Sequence, residues 1–211
     1  MTNFRTYLQQ YELLSRAFKY IIDNNKGAYN PYHNNFHLID VFTTSMEIAN
    51  TYDTLTDKDI IELGVAALFH DFNHSAGKLK RDSDNISLAI IGLVDFFVKN
   101  EKSVEDSGID ELEVEVLIGI TEFPHTREPY TLKEEIIRDA DMIQCYNRNW
   151  FLNVITGFLQ REVGLSIEEA IQNQIKFIQK VEYYTDHAKY IHEKEKEKML
   201  ENLYYLASIY K

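Results

Sequence analysis

The chain has little cysteine, proline, glycine or positive charge. A single cysteine, Cys145, among 211 residues excludes an internal disulfide bond. The 3 prolines and 8 glycines leave few helix breakers, and 45% of the residues are hydrophobic and 27% charged. This composition excludes collagen-like, disordered and disulfide-stapled proteins, so the chain is expected to be globular.

Long apolar runs are also missing. The longest candidates, such as LGVAALF over 63–69, are much shorter than the roughly 18–20 residues that cross a bilayer. The N-terminal sequence MTNFRTYLQQYELL lacks the basic and apolar blocks of a secretory signal. We therefore expect a cytoplasmic protein that does not interact with membranes.

Without a break in composition, the sequence predicts one domain over 1–211.

Acidic residues outnumber basic ones by 34 to 22, which gives a formal net charge of −12. Such a charge argues against nucleic acid as a partner, because the protein and the phosphate backbone would repel each other. If the substrate is itself an anion, a local positive charge must offset this field. A bound metal ion is the obvious source of that charge.

Helical periodicity covers almost all of the chain, and no alternating strand pattern competes with it. Three predicted helices begin with capping boxes, at Thr56, Thr131 and Ser166, each with an acidic residue three positions later. The sequence therefore predicts an all-α fold. The predicted helices cover 3–23, 33–51, 56–70, 83–99, 109–122, 132–146, 148–163, 166–184 and 186–210.

Potential metal ligands occur in three separate segments. The stretch PYHNNFHLIDV places His33 and His37 one helical turn apart, and the apolar run ELGVAALFH ends in His70 followed by Asp71. Asp141, in RDADMIQ, lies beside apolar positions of its predicted helix, where a carboxylate needs a partner or a metal. The set of His37, His70, Asp71 and Asp141 supplies two imidazoles and two carboxylates, which suit zinc, manganese, iron or magnesium.

The order His, His-Asp, Asp on successive predicted helices resembles the HD-domain metal-dependent phosphohydrolases. Within that group, YHNNFHLIDV and HDFNHSAG resemble the two signature segments of the class I cyclic nucleotide phosphodiesterases. Weaker similarities follow in the same order, in DNISLAI at 84–90, TEFPH at 121–125 and QIKFI at 174–178. The resemblance implies a compact multi-helix bundle, as in a minimal catalytic domain of that family.

The resemblance also implies a two-metal reaction. His37, His70, Asp71 and Asp141 would hold the first of two divalent ions, and Asp71 would bridge to the second. Hydroxide activated by both ions would attack the phosphorus of a small phosphate ester. His33 would act as the general acid that protonates the leaving oxygen, with a nearby carboxylate that the sequence does not identify orienting its ring.

Further site residues follow from the same resemblance. His74 and Asp84 would orient the hydroxide and the metal-bound waters, and His125 would line the pocket. The nucleotide would be bound by Tyr32, Gln174 and Phe177. The chain departs from the family in having Asn73 where an acidic residue is usual, Ser75 and Ala76 where a proline is usual, and Asp rather than Glu at position 84.

The leading functional hypothesis is hydrolysis of 3′,5′-cyclic nucleotides to 5′-monophosphates. A nucleotidase, or another small-molecule phosphomonoester or phosphodiester hydrolase, is the alternative within the same superfamily. A di-iron oxygenase and a non-catalytic binding module are the alternatives from other classes. The first would need more histidine ligands, and the second is disfavoured by the complete ligand set.

Overall fold

The computed structural model describes residues 4–210, and within that range it contains helices and no strand, which confirms the predicted all-α class. No helix in this range is both long and apolar enough to span a membrane. The α-helices are α1 (Phe4–Gln10), α2 (Glu12–Asn24), α3 (Asn35–Ala49), α4 (Asp57–Phe69), α5 (Asp82–Lys99), α6 (Glu101–Ser107), α7 (Glu111–Gly119), α8 (Leu132–Met142), α9 (Ile167–Lys180) and α10 (Asp186–Ile209). A 3₁₀ turn (Ile143–Tyr146) and a π helix (Phe151–Glu162) lie between α8 and α9.

All three predicted capping boxes are present. Thr56, Thr131 and Ser166 each accept a hydrogen bond from the backbone N–H three residues later, and the acidic side chain at that position bonds back to the cap. Each box satisfies two backbone donors that the first helical turn leaves unpaired, which explains why α4, α8 and α9 begin where they do.

Several predicted helix boundaries differ from the structure. The helix expected over 3–23 is interrupted at Tyr11, whose backbone is extended, and the loop expected over 100–108 contains α6. Val104 is buried and Gly108 ends α6 in the left-handed conformation, so packing and a glycine cap stabilise this short helix. The helix expected to continue to residue 184 ends at Lys180.

The helix predicted over 148–163 has π rather than α geometry over most of its length. The backbone N–H of Val163, for example, donates to the carbonyl of Phe158, five residues earlier, at 3.0 Å. π geometry is rare and is frequently found at functional sites. Here the segment buries Val154, Ile155 and Leu159 and places Glu162 at its end beside the loop that precedes α3.

Two large groups of buried side chains form the interior. The first joins α1 to α8 and includes Leu14, Phe42 and Leu68, whereas the second joins the π helix to α9 and α10. The chain passes from one group to the other at the 3₁₀ turn, which begins two residues after Asp141. The contacts do not test the expectation of one domain, which stays a prediction.

Candidate metal centre and adjoining cavity

Three helices bring the predicted metal ligands together. His37 lies in the first turn of α3, His70 and Asp71 follow the last residue of α4, and Asp141 lies in the last turn of α8. Helix α4 packs against both α3 and α8, so the three ligand-bearing segments meet at one point. A Cβ at Gly64 of α4 would lie 3.0 Å from the Phe42 ring of α3, which indicates how closely these two helices pack.

The distances between the ligand atoms fit a shared ion. His37 Nε2 lies 3.2 Å from both Asp71 Oδ2 and His70 Nε2, and 3.3 Å from Asp141 Oδ1. His70 Nε2 lies 3.1 Å from Asp71 Oδ2 and 3.8 Å from Asp141 Oδ1. Ligand atoms about 2.1 Å from one ion are separated by about 3.0 Å at octahedral angles and about 3.4 Å at tetrahedral angles.

A hydrogen bond fixes the orientation of the His70 ring. Its Nδ1–H donates to the carbonyl of Ala67 at 2.9 Å, so the lone pair of Nε2 faces the ligand cluster. The side chains of His37 and His70 are only 4% and 1% exposed. Two buried imidazole nitrogens 3.2 Å apart, with carboxylates around them, need a proton or a metal ion between them.

The carboxylates make this cluster a site for positive charge. Burial lowers the pKa of His37, but hydrogen bonds and charge interactions with Asp141 and Asp71 outweigh burial and raise that pKa to about 10. Burial raises the pKa of Asp71, but His70 and His33 outweigh it and hold the pKa well below its usual value. A metal ion that binds here must therefore displace a proton.

His33 lies beside the metal ligands, and Glu162 holds its ring. His33 Nδ1 forms a short hydrogen bond to Glu162 Oε2, while His33 Nε2 lies 3.8 Å from Asp71 Oδ2. The other carboxylate oxygen of Glu162 accepts the backbone N–H groups of Tyr32 at 2.7 Å and His33 at 3.1 Å. Burial raises the pKa of Glu162, but the bonds from His33 outweigh it and lower the pKa, so the carboxylate is ionised.

Glu162 is the carboxylate that the sequence could not identify. It lies far along the chain from His33, at the end of the π helix, and QREVG carries no recognisable motif. A glutamate at the end of an amphipathic helix is ordinarily exposed, and only the tertiary structure brings this one to His33.

His74 stacks on His33, with the two ring centroids 3.7 Å apart. Its Nδ1 accepts the backbone N–H of Ala76, and its Nε2 lies 3.8 Å from Asp82 Oδ1. The structure does not bring Asp84 to this group. Asp84 pairs with Arg81 at 2.8 Å on the surface, because the first turn of α5 directs Asp82 towards His74 and Asp84 outwards.

The donor atoms of His33, His74 and Glu162 also lie within 4.8 Å of one another. This spacing makes the three residues a second group that could hold a metal ion, next to the group of His37, His70 and Asp141.

A cavity of about 540 Å³ adjoins the ligand cluster. The predicted residues Tyr32, His125, Gln174 and Phe177 all line it, as do His33 and Asp141. Its remaining wall includes apolar side chains of the second buried group, among them Val154, Phe158 and Leu159.

Two polar side chains in the cavity wall, Gln174 and His125, differ in their hydrogen bonding. Gln174 is 3% exposed, and its Nε2 has no hydrogen-bond partner among the described residues. A buried amide without a partner is costly, and a ligand that bonds to the amide would remove that cost. His125 donates from Nδ1 to the carbonyl of Glu122 at 3.0 Å, and burial together with the charge of Arg138 lowers its pKa.

All of the predicted site residues except Asp84 therefore lie at the ligand cluster, beside it or in the cavity wall.

Comparisons of the chain with protein-family models, curated proteins and solved structures find no match. The structure provides buried groups of histidines and acidic residues that could bind metal ions, in an all-helical fold compatible with an HD-like domain.

Proposed function

We propose that the protein is a metal-dependent phosphohydrolase that cleaves small phosphodiesters, with 3′,5′-cyclic nucleotides as the first candidates. The observation that carries the proposal is the position of His33. Its ring is held by Glu162 on one side, and its Nε2 lies beside Asp71 and the cavity on the other. Hydrolysis of a diester to a monoester needs a proton donor for the leaving oxygen, and His33 has the geometry for that role.

His37, His70, Asp71 and Asp141 would hold the first metal ion, and Asp71 would bridge to a second. When bound, divalent ions would lower the pKa of water and offset the negative charge of the phosphoryl group. This local positive charge is what an anionic substrate requires on a chain with a net charge of −12.

Glu162 would prepare His33 to donate a proton. Its carboxylate accepts the Nδ1–H of the ring, so Nε2 is the nitrogen left to pass a proton to the leaving oxygen. Its two backbone bonds to Tyr32 and His33 hold the main chain, so the ring has little freedom to turn away from the phosphate.

The cavity supports a nucleotide as the substrate. Phe177 and Phe158 supply aromatic surface that suits a flat base, and Gln174 supplies an amide with unused hydrogen-bonding capacity. These side chains lie on helices of the second buried group, whereas the metal ligands lie on helices of the first. Base binding and phosphate cleavage would therefore depend on different parts of the fold.

An assay with added Zn²⁺, Mn²⁺ or Mg²⁺ tests the proposal. Cyclic AMP, cyclic GMP, nucleoside monophosphates and bis(p-nitrophenyl) phosphate are compared as substrates for the wild type and for His33→Asn. We expect turnover of the cyclic nucleotides, and a loss of at least a hundredfold in the variant with its metal content unchanged. Hydrolysis of the monophosphates alone would instead indicate a nucleotidase, and full activity of His33→Asn would exclude the acid role.

The second group of possible ligands favours one further candidate, oxygenation at a di-iron centre. If His33, His74 and Glu162 bind a second ion directly, both metals would have protein ligands in the manner such chemistry requires. Metal analysis of the protein after exposure to each ion distinguishes the two functions. The oxygenase predicts two bound irons, visible absorption and loss of one iron in His74→Ala, whereas the phosphohydrolase predicts activity with redox-inert ions.

A further inference from the structure

One asparagine side chain connects the main chains of both histidines beside the metal ligands. Asn30 Nδ2 donates to the carbonyl of His33 at 3.0 Å and to the carbonyl of His74 at 2.8 Å. His33 precedes α3 and His74 follows α4, so the contact joins two loops that are distant in sequence. We propose that Asn30 is a positioning residue that holds His33 and His74 in one arrangement for the reaction; the inference rests on the proposed function.

Few side chains could replace Asn30 in this role. Two carbonyl oxygens require two N–H donors on one short side chain, which the carboxamide of asparagine supplies. Aspartate at this position would place a carboxylate against two carbonyls, and serine has a single donor. A Cβ at Gly27 would lie 2.9 Å from Asn30 Nδ2, so the main chain also closes around the amide.

Other asparagines join the same two loops through bonds that do not involve the histidines. Asn25 Oδ1 accepts the backbone N–H of Asn73 at 2.9 Å, and Asn73 Oδ1 accepts the backbone N–H of Lys26 at 2.8 Å. Asn73 has a φ of 62°, in the left-handed region that asparagine tolerates better than most residues. These bonds keep the loops together, which allows Asn30 to be changed without separating them.

Loss of the Asn30 bonds would affect the proton donor more than substrate binding. The rings of His33 and His74 stack at 3.7 Å, so a shift of either loop changes the position of both rings. A general acid displaced by about 1 Å loses much of its effect, because proton transfer requires hydrogen-bond distance to the leaving oxygen. Gln174 and Phe177 lie on α9 and not on these loops, so they would continue to bind the base.

The kinetic test compares Asn30→Ala with Asn24→Ala in the metal-loaded protein. Asn24 is a matched control, because its exposed side chain donates only to the carbonyl of Tyr20 in its own helix. We expect kcat for cyclic AMP to fall at least tenfold in Asn30→Ala, with KM within about twofold. Turnover of bis(p-nitrophenyl) phosphate, whose leaving group needs no proton, should change less than twofold. Equal losses with both substrates, or no loss with cyclic AMP, would overturn the proposal.

A second measurement decides the arrangement even if the wild type hydrolyses neither substrate, a result that would count against the proposed function alone. Two-bond proton–nitrogen correlation spectra of the zinc-loaded full chain measure the chemical shifts of the individual histidine rings. Asn30→Ala should shift the resonances of both His33 and His74 and leave His187 and His192 unchanged, whereas Asn24→Ala should shift none of them. If only one of the first pair shifts, or neither does, Asn30 does not position them together. Should Asn30→Ala fail to fold, Asn30→Ser keeps one donor and is expected to give smaller changes in the same resonances.

Discussion

At the scale of single residues, the contact between Glu162 and His33 leads to a direct prediction. In Glu162→Gln the side-chain oxygen can still accept the backbone N–H groups of Tyr32 and His33. Its NH₂ group then faces the Nδ1–H of His33 and cannot accept it, so the ring loses the bond that holds it in place for proton donation. We expect kcat for a cyclic nucleotide to fall by about 10–100-fold with metal content unchanged, measured by steady-state kinetics and metal analysis.

A comparison with Glu168→Gln separates the loss of this contact from a general loss of negative charge. Glu168 is exposed in the first turn of α9, so its replacement removes the same charge at a place remote from His33. This variant should keep wild-type kinetics. Equal activity of Glu162→Gln and the wild type would show that the acid does not depend on the carboxylate.

The sequence could predict the residues whose chemistry is concentrated in short segments. His33, His37, His70 and Asp71 are recognisable from the spacing of YHNNFH and from the His-Asp pair. Glu162 could not be predicted, because it contacts His33 only through the tertiary packing of the π helix. Asp84 was assigned through the resemblance of DNISLAI, which does not show the direction of side chains, whereas in the structure the first turn of α5 directs Asp82 towards His74.

At the scale of elements, Gly77 fixes the end of the π helix against the loop that contains His74. Gly77 has a φ of 80°, and a Cβ there would lie 1.9 Å from the carbonyl oxygen of Glu162. In Gly77→Ala the loop and the π helix must separate, which displaces the carboxylate that holds His33. We expect the free energy of unfolding to fall by roughly 3 kcal/mol, measured by urea denaturation, and turnover to fall with it.

Gly108→Ala is the matched control for this prediction. Gly108 has a φ of 65°, but a Cβ there would have no atom within 4 Å. The substitution tests the left-handed backbone without the steric clash, and we expect a loss of about 1 kcal/mol with activity retained. Similar losses in both variants would indicate that the contact with Glu162 contributes little.

The helices were largely predictable because their signals are local. Capping boxes at Thr56, Thr131 and Ser166 identified where three helices begin, since each box uses side chains only three positions apart. The break at Tyr11 was not predictable from periodicity, since apolar residues continue through it. The π geometry over Phe151–Glu162 was not predictable either, because the same residues also fit the pattern of an amphipathic α helix.

At the scale of the whole molecule, the ligand cluster links protonation and metal binding to folding. The pKa of His37 is raised to about 10 in the folded chain, from an ordinary value of 6.5. The group therefore stabilises the metal-free protein fully below pH 6.5, and this stabilisation is lost as the pH rises towards 10. A metal ion can replace the proton in the cluster, so its binding should become stronger over the same range.

This linkage predicts opposite responses to pH with and without metal. In EDTA, the free energy of unfolding of the wild type should fall as the pH rises from 6.5 to 9, because the folded state still binds a proton that the unfolded state has lost. With excess Zn²⁺ or Mn²⁺ the stabilisation by metal should instead increase, by up to tenfold in affinity per pH unit for each proton displaced. Urea denaturation across this range measures both effects.

Asp141→Asn removes a carboxylate that raises the His37 pKa, so it should weaken both responses, whereas the surface variant Asp84→Asn should leave them unchanged. A wild-type protein whose stability is independent of pH in EDTA and unaffected by metal would contradict the assignment of this cluster as a metal centre.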